Sequence, residues 1–253
     1  MTDWNSLREE LDRWADLGMT ATLWWRDDDA ALPDPALNRL LGLCAVPLAL
    51  AVIPATVHED TAGTILAQAA ATVIQHGYAH RNHQPEGMRK CEFGDHRDMH
   101  DALDDLVIGR RRLEALFDDR FAAVLAPPWN RLSAPYTAQL IGVGLSGLTT
   151  YGPRATANPA PGVVLVNSHV DIIDWRGTRG FMGEAAALGL AVDHLAARRA
   201  KTVDAAEPTG LLSHHLIHDA AAWRFIEAFM AATIDHKAAR WVTVADAFRP
   251  GGP

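Results

Sequence analysis

The stretch 72-TVIQHGYAHRNH-83 runs from a β-branched, strand-like segment straight into histidines at positions 76, 80 and 83. A short apolar run of this kind reads as a buried strand, so His76 stands at a strand end and His80 one helical turn beyond it. Imidazoles at i and i+4 can converge on one cation if the backbone turns after the strand, and neutral imidazole is a favoured ligand for zinc and similar ions. An H-x-x-x-H spacing also arises in ordinary histidine-bearing loops. Its meaning depends on what the other strand ends deliver.

Strand-length apolar runs recur at 21–28, 46–54, 72–77, 122–128, 144–150, 163–170, 209–215 and 241–244, with helical periodicity near 35–43, 60–70, 97–119, 134–142, 181–200 and 219–236. This alternation predicts parallel strands joined by helical crossovers, in a barrel-like α/β fold. Asp219 precedes the apolar-periodic AAAWRFIEAFMAATI, where its carboxylate can cap a helix. Trp4, Leu7, Leu11, Trp14 and Leu17 recur at helical spacing and predict an amphipathic helix over 3–17. No linker composition interrupts the 253 residues, so a single domain over 1–253 is expected, with the barrel over about 20–250.

Composition narrows the partner. The chain is 49% hydrophobic and 21% charged, as expected of a globular protein, and its formal charge of −8 sets it against nucleic acid and anionic membranes. A small-molecule or oligosaccharide substrate is the expected partner. The N-terminal helix lacks the form of a signal peptide, and no apolar run is long enough to span a bilayer. Cys44 and Cys91 form no C-x-x-C pair and read as reduced thiols, so a cytoplasmic setting is expected.

In parallel α/β folds the C-terminal strand ends carry the ligand site. Here those ends run into Asp27-Asp28-Asp29, His76, Pro127-Pro128-Trp129-Asn130, His169-Val170-Asp171 and His214-His215. Three adjacent carboxylates repel one another, which a cation would relieve; a polar loop or helix cap ahead of Pro33 and Pro35 is the plainer alternative. Joined to His76 and His80, one aspartate completes a His-His-Asp set with coordination positions open for water and substrate, and His83 would then stand at its rim. His214 and His215 must face opposite ways along a strand, and one of His214, His215 and His218 could serve as a general acid near neutral pH while the others are structural. In 171-DIIDWRG-177, Asp171 or Asp174 could orient that histidine, or the segment could be a surface turn around a half-buried Trp175. Trp129, after two prolines, could wall a sugar-like ring.

In this order, WWRDDDA, HGYAH, APPWN, DIIDW and LSH resemble the motifs of the polysaccharide deacetylase family, the carbohydrate esterases with a chitooligosaccharide deacetylase homology domain. The resemblance spans about residues 20 to 250. It implies a distorted (β/α)7 barrel, with Asp29, His76 and His80 as ligands of a divalent metal ion, zinc being the expected one. It further implies Asp28 as general base, His214 as general acid, and Trp129 and Asn130 at the substrate and oxyanion. Asp171, Asp174 and Arg131 would support them. Asp27 with Asp28 is the alternative base and ligand pair, and His218 a rival for the acid. Where the family carries the arginine of R-x-P-Y this chain has Ala126, so the cation beside the base must come from Arg26 or Arg131, or be absent. The activity implied is metal-assisted deacylation of an N-acylated carbohydrate or small amide. Hydrolysis of another C–N bond on the same barrel and a catalytically silent sugar-binding barrel are the alternatives.

Overall fold

The computed structural model describes residues 2–249. In chain order the elements are α1 (Trp4–Asp16), β1 (Ala21–Ala30), α2 (Pro35–Gly42), β2 (Leu48–Val52), α3 (Glu59–Leu66), β3 (Ala71–His76), α4 (Met99–Phe117), β4 (Phe121–Ala126), α5 (Ala134–Thr137), β5 (Gly147–Leu148), β6 (Val164–Leu165), β7 (Val170–Asp171), α6 (Glu184–Arg199), β8 (Thr209–Ser213), α7 (Ala220–Ile234), β9 (Ala239–Trp241) and α8 (Val244–Ala247). The strands form one parallel sheet in the order β6-β5-β4-β3-β2-β1-β8-β7, with β9 also paired to β1. This curled sheet with helices around it is the distorted (β/α)7 type of barrel.

Side-chain alternation along the strands builds two cores. One face of the sheet turns Trp24, Ala49, Ala51, Ile74, Val124, Ala126 and Val164 into the barrel, where the small alanines leave room for the Trp24 indole. The other turns Leu23, Trp25, Leu48, Leu50, Val52 and Val73 against the helices. Helix α1 adds Leu7, Leu11 and Trp14 to this outer core and packs on α6. The Asp219 carboxylate does cap α7, accepting from the Ala221 and Ala222 N–H groups at 2.8 Å.

The strand predicted over 241–244 lies earlier, as β9, with Val244 already opening α8, and two further expected elements differ. The helix predicted over 134–142 is a single turn, α5, followed by a 3-10 turn at Ile141–Val143. The strand predicted over 163–170 divides into β6 and β7, which lie at opposite edges of the sheet, so residues 166–169 cross from one edge to the other. Ladder bonds run through the crossing, from Val166 and Ser168 N–H to Leu148 and Thr150 on one side and from His169 N–H to Gly210 on the other, and side chains reinforce it: Asn167 N–H donates to Glu207 at 2.8 Å, and the Trp24 indole N–H donates to the Asn167 carbonyl at 3.0 Å. Gly210 permits it, because a Cβ there would stand 2.7 Å from the Asn167 carbonyl oxygen.

Next to this crossing, at the N-terminal ends of β1 and β8, lies a buried polar network. The His169 and His194 rings stack with centroids 3.5 Å apart, His169 Nδ1 accepts from Gly210 N–H, and His194 Nδ1 lies 2.9 Å from Thr209 Oγ1. Both Glu207 oxygens accept backbone N–H groups, and Arg198 donates to Thr22 and Thr209. Burial, with the charges of His169 and Arg198, pushes His194 down to about 2, and burial likewise lowers His169 against the pull of Glu207. Both imidazoles are therefore neutral in the fold and protonate when it opens. Their contribution to stability is full above the ordinary histidine value of 6.5 and is lost as pH falls below it. Melting curves across pH 4 to 8 should show the Tm of the wild type falling more steeply below about pH 6.5 than that of His194→Gln. Parallel profiles for the two proteins would contradict this.

Candidate metal centre and active-site mouth

The site grows from the end of β1. Trp24, Arg26 and Asp28 face the barrel interior, while Trp25 and Asp27 face outward to Ser213 and His215. At Asp29 the alternation fails: its φ of 77° places it in the left-handed region, and the β1–β2 register shifts between Asp27 and Ala30. Two consecutive carboxylates thus reach the same mouth. For a non-glycine residue this conformation costs about 1–2 kcal/mol. Of the seven non-glycine residues with positive φ among the described residues, four (Asp29, His80, Trp129 and Asn130) belong to this mouth, which is where such strain collects in functional sites.

Asp29 Oδ1 lies 3.1 Å from His76 Nε2 and 3.3 Å from His80 Nε2. Ligand atoms about 2.0–2.2 Å from one tetrahedral zinc lie roughly 3.3–3.6 Å apart, so the three atoms are spaced for a single ion. The tautomer agrees. His76 Nδ1 donates to the Ala126 carbonyl at 2.9 Å, which leaves Nε2 to face Asp29, as a donor to the carboxylate while protonated and as a ligand once a cation displaces that proton. Burial works to raise the Asp29 carboxyl, but the hydrogen bond and charge of His76 outweigh it and hold Asp29 well below the usual carboxylate range.

Beside this set, Asp28 is almost fully buried and gripped by Arg26 through both oxygens, at 2.9 Å from Nε and 3.1 Å from Nη2. Arg26 is itself completely buried, and its remaining donors reach Thr149 Oγ1 at 2.8 Å and Asn130 Oδ1 at 2.5 Å. Of the two candidate cations, the base position therefore has Arg26. Arg131 is not its partner: its guanidinium donates to the Lys90 carbonyl at 2.7 Å, on the wall of an open polar groove also lined by Gln84, Asp95, Ser133 and Thr150. His214 Nε2 lies 3.9 Å from Asp28 Oδ2 on the other side of the mouth.

The remaining candidates divide clearly. Asp27 faces away from the triad and pairs with His215, each holding the other charged: burial opposes both, yet Asp27 is lowered and His215 raised. His218 is bound to the backbone, its Nε2 accepting from His214 N–H at 3.1 Å. Asp171 makes no hydrogen bond to His214. It accepts from Trp175 Nε1 at 2.7 Å and Ile173 N–H at 3.1 Å, and the Trp175 ring stands edge-on to His214 with centroids 4.7 Å apart. Asp174 is spent on a turn, accepting from Gly177 and Thr178 N–H, and does not reach the histidine. Trp129 packs on the His80 ring at 4.5 Å, and the Asn130 side-chain oxygen is committed to Arg26. His83 is half-buried, its backbone N–H bonded to the Cys91 carbonyl.

Glu92 is the functional residue that sequence reasoning overlooked. Fully buried, it accepts the backbone N–H groups of Tyr78, Ala79 and Arg81, and so fixes the loop that presents His80. Its only signal was an acid beside Cys91 in a polar loop. A second cluster, His169, His194 and Glu207, also has ligand atoms near one another. It does not fit a cation, because His169 Nδ1 already accepts from Gly210, so Nε2 must carry the proton, and both Glu207 oxygens are occupied.

A parallel, curled barrel with an Asp-His-His mouth at its C-terminal strand ends has the fold of the polysaccharide deacetylases and related carbohydrate esterases. A peptidoglycan N-acetylglucosamine deacetylase, Bc1960, superposes with a TM-score of 0.58 at 14% identity, covering 90% of this chain and 88% of that one. A Streptococcus mutans CE4 esterase gives 0.58 at 10% identity, covering 96% and 91%. A family 4 acetyl xylan esterase from Clostridium thermocellum, solved with a cobalt ion, gives 0.51 at 14% identity, covering 88% of each chain. No family model matches the sequence, and no curated protein does.

Gly77 joins β3 to the His80 loop at φ 57°, and a Cβ there would meet Glu92 Oε2 at 2.1 Å. Gly77→Ala should therefore lower the stability measured by urea unfolding by at least about 1–2 kcal/mol. An unchanged midpoint would show that Glu92 does not anchor this loop.

Proposed function

We propose that this chain is a metal-dependent deacetylase that removes an acetyl or similar acyl group from an N-acylated carbohydrate or small amide. The observation that carries the reading is the convergence of Asp29, His76 and His80 at one-ion spacing beside a separately held carboxylate, Asp28, and a separately held imidazole, His214. The shared fold supports it, as does the cobalt ion in one of the solved esterases. The reading of a silent barrel rested on the alanine at 126, and Arg26 beside Asp28 removes that ground.

A divalent ion, zinc by choice of ligands, would polarise the acyl carbonyl and ease deprotonation of a water when held by Asp29, His76 and His80. Asp28 takes the proton from the attacking water, and Arg26, in contact with both its oxygens, fixes the carboxylate in rotation. The Trp129 backbone N–H would serve the developing oxyanion, and His214 gives its proton to the nitrogen as the C–N bond breaks. Trp175 stands edge-on beside His214, and the polar groove past Asn130 and Arg131 would receive the hydroxyl-bearing part of the substrate. Its acceptors and donors suit a sugar or another polar amine, and two free cysteines suit a reducing, cytoplasmic setting.

Elemental analysis of the purified protein should find one divalent ion per chain, absent from Asp29→Ala and His76→Ala. Asp28→Asn and His214→Ala should retain the ion while losing about 10²–10⁴ in kcat on an acetylated amine. Loss of the ion from either of the latter variants would overturn these roles. Turnover of cyclic or N-formyl amides in preference to acetylated ones would favour the other C–N hydrolase reading.

A further inference from the structure

The mechanism leaves one aspartate of the triple run and two histidines of 213-SHHLIH-218 unused. They are not idle surface groups. Asp27 and His215 are almost wholly buried, and Asp27 binds both chain neighbours of His214, Ser213 and His215. One Asp27 oxygen lies 2.5 Å from His215 Nδ1; the other accepts from Ser213 Oγ at 2.6 Å and from His215 N–H at 3.1 Å. Ser213 Oγ in turn accepts from Trp25 Nε1 at 2.8 Å. The remaining backbone donor of this segment, His214 N–H, goes to His218 Nε2.

The His214 side chain is buried with the Trp175 ring edge-on beside it, but no hydrogen bond among the described residues aims it. Its Nδ1 is buried without a hydrogen-bond partner among the described residues, and its Nε2 stands 3.9 Å from Asp28. With packing alone around the ring, its direction depends on how its backbone is held. Because successive residues on a strand face opposite ways, a carboxylate fixed behind the sheet can set what the residue between its partners presents in front.

We propose that Asp27 is a positioning residue for proton transfer: by clamping Ser213 and His215 from the outer face of β1, it aims His214 at the leaving nitrogen. This rests on the reading of His214 as the proton donor. The donor matters only where the leaving group needs a proton. An amine must be protonated as its C–N bond breaks, with the proton passing from His214 to nitrogen and the water oxygen bonding to the carbonyl carbon. A 4-nitrophenolate leaves unprotonated.

The test compares kcat/KM of the zinc-loaded wild type, Asp27→Asn and Ser213→Ala on triacetylchitotriose and on 4-nitrophenyl acetate. The ratio of amide to ester turnover should fall about tenfold or more in Asp27→Asn, within the range expected of a displaced acid, and by a smaller factor in Ser213→Ala. Bound zinc should stay at the wild-type level in both. Equal losses on the two substrates would mark Asp27 as a purely structural group, and an unchanged ratio in Ser213→Ala together with Asp27→Asn would likewise overturn the proposal. If Asp27→Asn fails to fold, the Ser213→Ala ratio decides, since that variant removes one donor and leaves the carboxylate in place. A wild type that hydrolyses the ester but no acetamide would instead overturn the role of His214, and the deacetylase reading with it.

Discussion

The structure depends on a single departure from strand geometry. A regular strand would send Asp28 and Asp29 to opposite faces, one into the barrel and one among the helices. The left-handed backbone at Asp29 turns both to the same mouth, so a carboxylate that can bind a cation and one that can accept a proton stand side by side. Glycine would adopt this conformation freely, but glycine has no carboxylate. The strain is offset by what holds Asp29 from outside: the His76 and His80 imidazoles, themselves fixed by the Ala126 carbonyl, the Trp129 ring and the Glu92-anchored loop.

The four polar residues that close β1 show how adjacent like charges can coexist in a buried place. Each carboxylate has its own partner from a different element. Asp27 has His215 at the end of β8, Asp28 has Arg26 two residues earlier on the same strand, and Asp29 has two histidines from β3 and the loop after it. Separating the partners keeps the three aspartates from sharing a proton, as closely coupled carboxylates do. It also turns each toward different neighbours: Asp29 toward His76 and His80, Asp28 toward Arg26, and Asp27 toward the segment that carries His214.

Much of this was legible in the sequence, because strand-end residues in a parallel barrel have few places to go. The apolar runs located β1 to β4 and β8 within a few residues, and the alternation rule correctly set His214 and His215 on opposite faces. What escaped depends on contacts distant along the chain. The run 163–170 does follow a ladder, but it pairs with β5 at its start and β8 at its end, and the Glu207 and Trp24 contacts that hold the change of partner at Asn167 come from far along the chain. Arg26 and Arg131 were equal candidates to partner the base, and only the packing of Thr149 and Asn130 around Arg26 separates them. Asp174 looked like a histidine partner by spacing alone, but the glycine turn after it consumes both its oxygens. Glu92 gave no periodic or motif signal, since its role is to bind backbone groups.

The central claim is that one carboxylate and two imidazoles, brought together by the turn at Asp29, hold a divalent ion. An anomalous difference map recorded at the zinc edge from zinc-soaked crystals tests it most directly. The account predicts one strong peak about 2.0–2.2 Å from Asp29 Oδ1, His76 Nε2 and His80 Nε2. A peak at His169, His194 and Glu207 instead, or none between Asp29 and the two histidines, would contradict it.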